Sequence, residues 1–147
     1  MPVKWYGKEV SEKLRKAQIA GVNATMAACV TDAKRNHTWN NRTGVLEGSI
    51  DIAEPASAQS GRGGVKGVWG SKDVRYALIQ EVGGIIKPVR AKALMFRADD
   101  GSFVVVKQVK IPERPYLRPA ADKQYPKLAK RIRRAFESST AAPGGRR

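Results

Sequence analysis

The stretch KEVSEKLRKAQIAGVNATMAACVTDAKR, residues 8–35, is typical of one long helix. Small and apolar residues recur in it at steps of three and four, on one helical face: Val10, Leu14, Ala17, Gly21, Ala24, Ala28 and Thr31. No proline interrupts the run, which predicts a rod on the order of 40 Å long. Because the face is mainly Ala and Gly, it can pack closely, either on the chain's own sheet or on a neighbouring subunit.

The clearest β signal lies in the second half of the chain. Residues 93–97 (ALMFR) and 102–107 (SFVVVK) flank the tetrapeptide Ala98-Asp99-Asp100-Gly101. Asp-Gly between two β-rich runs favours the tight turn of a hairpin. Apolar residues continue to position 111, so the second strand is predicted to be long or bulged.

Short elements and turns are predicted between the helix and this hairpin. Residues 43–50 form a helical turn that places Leu46 and Ile50 on its inner side, and residues 49–53 and 65–71 are typical of strands. Residues 54–64 are rich in Ser and Gly and predict a long flexible loop. Residues 74–82, which end before two glycines, fit either a short helix or a bent strand.

The C-terminal region combines a stiff segment with a helix. Three prolines keep residues 112–119 extended, and Pro126 predicts a kink or a later start of the helix that follows. An apolar stripe has helical spacing: Ala121, Tyr125, Leu128, Ile132 and Phe136. A basic stripe occupies the other side: Lys123, Lys127, Lys130, Arg131 and Arg134.

These elements together predict an α+β fold. A long N-terminal helix and a C-terminal helix would pack on a mainly antiparallel sheet with a long flexible loop. A chain of 147 residues suits one domain, which we place at residues 1–137, followed by a disordered tail at 138–147. No apolar run is long enough to span a bilayer, so we expect a soluble protein without a membrane partner.

The charge predicts an anionic partner. Lys and Arg number 28 against 13 Asp and Glu, a formal net charge of +15. Such a balance indicates nucleic acid, an acidic protein surface or an anionic membrane as the partner. The basic stripe of the last helix could follow the phosphates of a duplex, or could be the solvated face of an amphipathic helix.

The sequence offers no clear catalytic constellation. Cys29 lies in the Ala-rich helix and is expected to be a packing residue, while His37 has no second imidazole with which to bind a metal. Asp99-Asp100 is explained by the predicted turn. A small nuclease using Glu47, Asp51 and Glu54 around a divalent ion is the least favoured alternative. We therefore expect neither enzymatic activity nor a cofactor or metal.

Three stretches together resemble the tail-completion, or neck, proteins of lambdoid long-tailed bacteriophages. Arg42-Thr43-Gly44-Val45-Leu46 with Ser49-Ile50 is similar to the family's "TG-x-L…SI" element. Tyr76-Ala77 with Glu81-Val82-Gly83-Gly84 resembles its "YA…xE-x-G" element. The segment Pro112 to Ala120 (PERPYLRPA) resembles "P-x-RPFLRPA" before a terminal helix. Order and spacing agree over residues 8–137, although Gly83-Gly84 stands where Gly-Thr is common in the family.

The resemblance implies a structural virion protein. Members of the family lie at the junction of tail tube and head connector, so this chain would form a hexameric or dodecameric ring, assembled in the host cytoplasm. Its partners would be further copies, tail and head-connector proteins, and DNA contacted through phosphates in the ring lumen. The predicted subunit interface comprises Arg114, Pro115, Tyr116, Leu117, Arg118, Leu14 and Gly21. Arg114 and Arg118 would bind a neighbour's carboxylates or cover the chain's own helix ends. The main alternative is a free-standing nucleic-acid-binding protein.

Overall fold

The computed structural model describes residues 2–61 and 63–140. Its helices are α1 (Gly7–Arg35), α2 (Val45–Ser49), α3 (Ala77–Val82), α4 (Leu117–Gln124) and α5 (Leu128–Thr140), with a 3-10 turn at Tyr125–Lys127. Its strands are β1 (Ile50–Ala58), β2 (Val65–Ser71), β3 (Gly84–Ile86), β4 (Leu94–Arg97), β5 (Phe103–Val106) and β6 (Val109–Ile111). The α+β class is confirmed, as are the long N-terminal helix and the C-terminal one.

The long helix is confirmed almost to the residue, but its buried face differs from the predicted one. The buried side chains follow a row with steps of four, joined by Met26: Ala17, Gly21, Thr25, Cys29 and Ala33. Four residues that we expected on this face are exposed: Val10, Leu14, Ala24 and Thr31. Rows with a spacing of four run obliquely around a helix axis, and packing along such a row makes the neighbouring elements cross at an angle. The predicted face, with its alternating steps of three and four, instead follows a stripe nearly parallel to the helix axis.

The strands are all antiparallel, as predicted, but they form three separate two-stranded ladders. β1 pairs with β2, β3 with β6, and β4 with β5. The predicted hairpin is therefore present as β4 and β5, but the apolar run after it becomes a different strand, β6, in another ladder. Only β1 and β2 pack extensively on α1.

The first five residues of the predicted flexible loop at 54–64 belong to a strand. β1 continues to Ala58, which pairs with Val65, and its register shifts on either side of Glu54. Pro55 lies in the irregular part, where a residue without an N–H group removes no regular ladder hydrogen bond. The connection is shorter than predicted, and the Gln59 N–H closes it by donating to the Gly64 carbonyl at 2.8 Å.

The segment at residues 74–82 is helical, and the C-terminal helix is interrupted. Gly83, with φ of +68°, ends α3 in a conformation that glycine adopts without strain. Pro126 lies in the 3-10 turn between α4 and α5, so the helical region starts before it and is interrupted there rather than delayed. α5 continues through Thr140, so residues 138–140 are helical rather than part of a tail. The rest of the predicted tail, residues 141–147, lies outside the described residues.

The two terminal helices meet at Gly21. A Cβ atom at this position would lie 2.4 Å from Cγ1 of Ile132 and 3.0 Å from the Ile132 backbone. α1 and α5 therefore approach closely here, and the small-residue face packs inside the chain rather than on a neighbour.

We predict that Gly21→Ala destabilises the fold although alanine favours helices. The added methyl group forces α5 away from α1, which should lower the free energy of unfolding by about 1–3 kcal/mol. Gly48→Ala in α2 is the matched control, because nothing lies within 4 Å of a Cβ there. Urea unfolding followed by circular dichroism measures both, and equal midpoints for the two variants would contradict the close approach.

Candidate assembly interface

The three stretches that carry the family resemblance meet in one buried cluster. The first contributes Leu46 and Ile50, the second Ala77, and the third Tyr116 and Ala120. Ala33 of α1 and Trp39, which follows that helix, complete the same cluster. The motifs are distant in sequence but adjacent in space, so their first role is to hold the fold together.

Glu81 joins the second stretch to the third. Its carboxylate accepts hydrogen bonds from the backbone N–H groups of Tyr116 at 2.7 Å, Leu117 at 3.0 Å and Arg118 at 2.9 Å. These are the free donors at the start of α4, and the next residue, Pro119, has no N–H to satisfy. A single carboxylate thus caps the whole N-terminus of α4, where its negative charge also complements the helix dipole.

The backbone of the two stretches is paired beside this cap. The Arg114 N–H donates to the Gln80 carbonyl at 2.8 Å. A Cβ at Gly83 would lie 2.7 Å from the Glu113 nitrogen and 3.0 Å from the Ile111 carbonyl oxygen. Glycine is required at this position both for its positive φ and for this contact.

Tyr116, which we assigned to a subunit interface, lies instead in the chain's own core. Only 1% of its surface is exposed, and its hydroxyl is 2.6 Å from the Ser71 hydroxyl. Its ring meets the edge of Trp39 with centroids 4.7 Å apart. Burial raises the pKa of the Tyr116 phenol above its usual value. Gly21 is likewise internal, since α5 covers it.

The other predicted interface residues keep surface exposure. Arg118 at the start of α4 is exposed, and Leu14 on α1 has 44% of its surface free. Arg114, Pro115 and Leu117 are half-buried beside the Glu81 cap. We call residues 112–118 the strap. The strap is held to the body at Glu81, and its Arg118 side chain is exposed.

The basic stripe divides into structural and outward-facing members. Lys123 binds Asp32 on α1 at 3.0 Å. Arg131 donates to the Gln124 carbonyl at 3.1 Å, to the Gln124 side chain at 2.6 Å and to the Thr25 hydroxyl at 3.3 Å. Hydrogen bonds from Gln124 and then Lys123 lower the pKa of Asp32. Arg131 and Lys123 thus fasten the last helices to α1.

Three cations of the stripe face outward. Lys127, Lys130 and Arg134 are exposed and, with Arg131, line a shallow cleft of about 270 Å³. Among the described residues none of these three forms an ion pair. This arrangement can bind a polyanion through phosphates or carboxylates.

The β4–β5 hairpin presents an uncovered apolar surface. Met95 pairs with Val105 across the ladder, and Phe103 follows on the same face. Their exposed fractions are 69%, 63% and 71% respectively. β4 and β5 pack extensively only on each other. We call residues 94–106 the arm, and Met95, Phe103 and Val105 the arm face.

The residues considered for catalysis have structural contacts. Cys29 is fully buried, its sulfur is 3.9 Å from the Ala120 carbonyl oxygen, and burial raises its pKa. His37 stacks on Trp39 with centroids 3.9 Å apart. Asp100 accepts hydrogen bonds from Ser102 in the hairpin turn, which lower its pKa. Within residues 2–61 and 63–140, no three His, Cys, Asp or Glu side chains could together hold a metal ion.

Sequence reasoning missed two functional features. Glu81 was identified only as part of a motif, without a role as a helix cap. The segment before α4 contains no Ser, Thr, Asp or Asn to cap that helix, which indicates that a residue distant in sequence accepts its N–H groups. The arm was predicted as a hairpin, but the exposure of its apolar face depends on packing that no local pattern encodes.

Comparisons with known proteins identify no relative: no family model, no curated protein and no solved structure matches this chain. Among the helices of the described residues, none combines the length and apolar content needed to cross a membrane.

We predict that Glu81→Ala lowers the free energy of unfolding by about 2–4 kcal/mol, because three backbone donors are left without their acceptor. Glu81→Gln should cost less, since its amide oxygen can still accept. Glu113→Ala is the control, an exposed carboxylate on the same strap. Denaturant titration measures all three, and a destabilisation by Glu81→Ala no larger than that by Glu113→Ala would contradict the cap.

Proposed function

We propose that this chain is a non-enzymatic structural subunit of the neck of a long-tailed phage, which forms a ring joining the tail tube to the head connector. Its location would be the virion, after assembly in the host cytoplasm. The proposal is supported by the ordered resemblance of three stretches, whose residues meet in one core. The resemblance therefore involves residues that a shared fold would need.

The observation that carries the assembly role is the uncovered arm face. A two-stranded hairpin is marginally stable in water, and its open edges and apolar side chains invite association. Here the two strands have no covering layer, while three large apolar side chains face solvent. A contiguous exposed apolar surface of this kind marks a protein contact.

A head-to-tail ring needs two different surfaces on each subunit. The arm supplies one of them. The outward residues of the strap and of α1, including Arg118 and Leu14, remain candidates for the other. In the hexameric or dodecameric ring that the resemblance implies, the basic cleft on α5 would face DNA in the lumen or acidic tail and connector proteins.

We predict that Phe103→Ser combined with Val105→Ser prevents self-association, because it removes most of the apolar area of the arm face. The body, which does not pack on this face, should keep its thermal midpoint. Sedimentation velocity across protein concentration measures the assembly, with Val89→Ser, a change at a 95% exposed apolar residue outside the arm, as control. Self-association of the double variant at wild-type concentrations would remove the arm from the interface.

The outward cations on α5 favour a second candidate, a free-standing protein that binds nucleic acid. Lys127, Lys130 and Arg134 line one cleft and have no acidic partner within the described chain. Phosphate contacts of this type give affinity without sequence specificity, and they weaken steeply with salt.

We predict that alanine at Lys127, Lys130 and Arg134 weakens duplex binding and reduces the slope of log affinity against log salt by about 3, near 0.9 for each phosphate that is no longer neutralised. The control removes the same charge elsewhere, with alanine at Lys87, Lys92 and Lys107. Fluorescence anisotropy of a labelled duplex at several salt concentrations measures both. Equal slopes for the two triple variants would show that binding follows net charge rather than this cleft.

A further inference from the structure

Among the described residues, one ion pair joins the arm to the rest of the fold. Asp99 at the hairpin tip forms an ion pair with Arg42, which precedes α2. The other hydrogen bonds of the tip stay within the hairpin, such as Ala98 to Ser102 at 2.8 Å. Among the described residues, no further hydrogen bond or ion pair connects the arm to the body.

This contact holds the arm weakly. The side chains of Arg42 and Asp99 are 65% and 76% exposed, so water competes for both charges. Exposed ion pairs of this kind contribute little to stability. If Asp99 paired with Arg42 of another copy instead, the monomer would therefore lose little folding free energy.

Asp99 of the tip lines a cavity of about 630 Å³. Trp39, Gln80 and Arg114 line it together with Arg42 and Asp99. The Trp39 indole N–H and the Gln80 side-chain oxygen are buried and have no hydrogen-bond partner. Trp39 is 92% buried, its exposed fraction being 8%. These two polar atoms belong to residues that line the cavity beside Arg42 and Arg114.

Charge complementarity identifies the occupant. The cavity carries the guanidinium groups of Arg42 and Arg114, and Arg114 forms no ion pair within the described chain. The hairpin tip carries the carboxylates of Asp99 and Asp100 on a turn whose peptide groups offer both donors and acceptors. The tip and the residues that line the cavity thus carry opposite charges.

We infer that the arm is exchanged between copies: the tip of one subunit enters the cavity of the next, and Asp99 pairs with its neighbour's Arg42. This inference rests on the proposed ring, and it assigns the Asp99–Arg42 ion pair to the contact between neighbouring subunits. Exchange reuses an interaction that the monomer already makes, so assembly by this route requires no new interface at the tip.

Charge reversal in separate chains tests the exchange. One variant carries Arg42→Asp and the other Asp99→Arg, so each alone places like charges at the contact. Both should assemble at least ten-fold less readily than wild type in sedimentation velocity. Mixed in equal amounts, they should assemble like wild type, because every tip then meets an opposite charge on its neighbour. If the tip contacts only its own chain, mixing cannot restore opposite charges.

A cysteine pair gives a second measurement that does not depend on recovery of assembly. Arg42→Cys in one chain and Asp99→Cys in another should form a disulfide between the two different chains, visible as a dimer without reductant. Wild-type Cys29 is fully buried and serves as the silent background. Lys66→Cys mixed with Asp99→Cys is the control pair and should not cross-link, because Lys66 is exposed on β2 and does not line the cavity.

The outcomes separate the two proposals. Recovery on mixing together with the specific cross-link supports the exchange. A wild-type chain that assembles, while the mixed variants do no better than each alone, overturns the exchange and leaves the ring. A wild-type chain that stays monomeric at every concentration overturns both.

Discussion

The carboxylate of Glu81 is the interaction on which the rest of the fold depends. Glu81 lies near the end of α3, a short helix on which no other helix or strand packs extensively. Its carboxylate nevertheless fixes the beginning of α4, the first of the two C-terminal helices. Its three acceptor contacts span 35 to 37 residues of sequence, so they close a long loop that contains both small ladders. With the start of α4 held there, Tyr116 and Ala120 enter the core and Ile132 reaches Gly21.

This arrangement explains what the sequence could and could not predict. α1, β2 and the β4–β5 turn depend on local patterns, namely helical periodicity, β-rich composition and Asp-Gly, and all three were located correctly. The extent of β1 was missed because pairing with β2 overrides a composition of Pro and Ser. The buried row of α1 was misplaced in its second half because the crossing angle of its neighbours, not the sequence, selects which four-residue row is covered.

The candidate site shows the same division. A pattern of arginine, proline and tyrosine suggested an exposed contact, but Tyr116 is held by Trp39 and Ser71 from elements far away in sequence. The basic stripe was correct as a helical face, but two of its five members make contacts within the chain. Lys123 pairs with Asp32, and Arg131 donates hydrogen bonds to Gln124 and Thr25. Periodicity identifies a face, whereas only the tertiary partners decide whether a cation on it is free.

The close approach of α1 and α5 at Gly21 also governs the order in which the protein can mature on the ribosome. α1 emerges first, but the residues that cover its buried row near Gly21 belong to α5, beginning with Ile132. Chains elongate at about 5–20 residues per second, and domains fold as units. The N-terminal helix must therefore wait, with its small-residue row uncovered, for several seconds until α5 has left the exit tunnel. A nascent chain stalled before residue 132 would remain open to chaperones, and a premature stop there would yield a product unable to close its body.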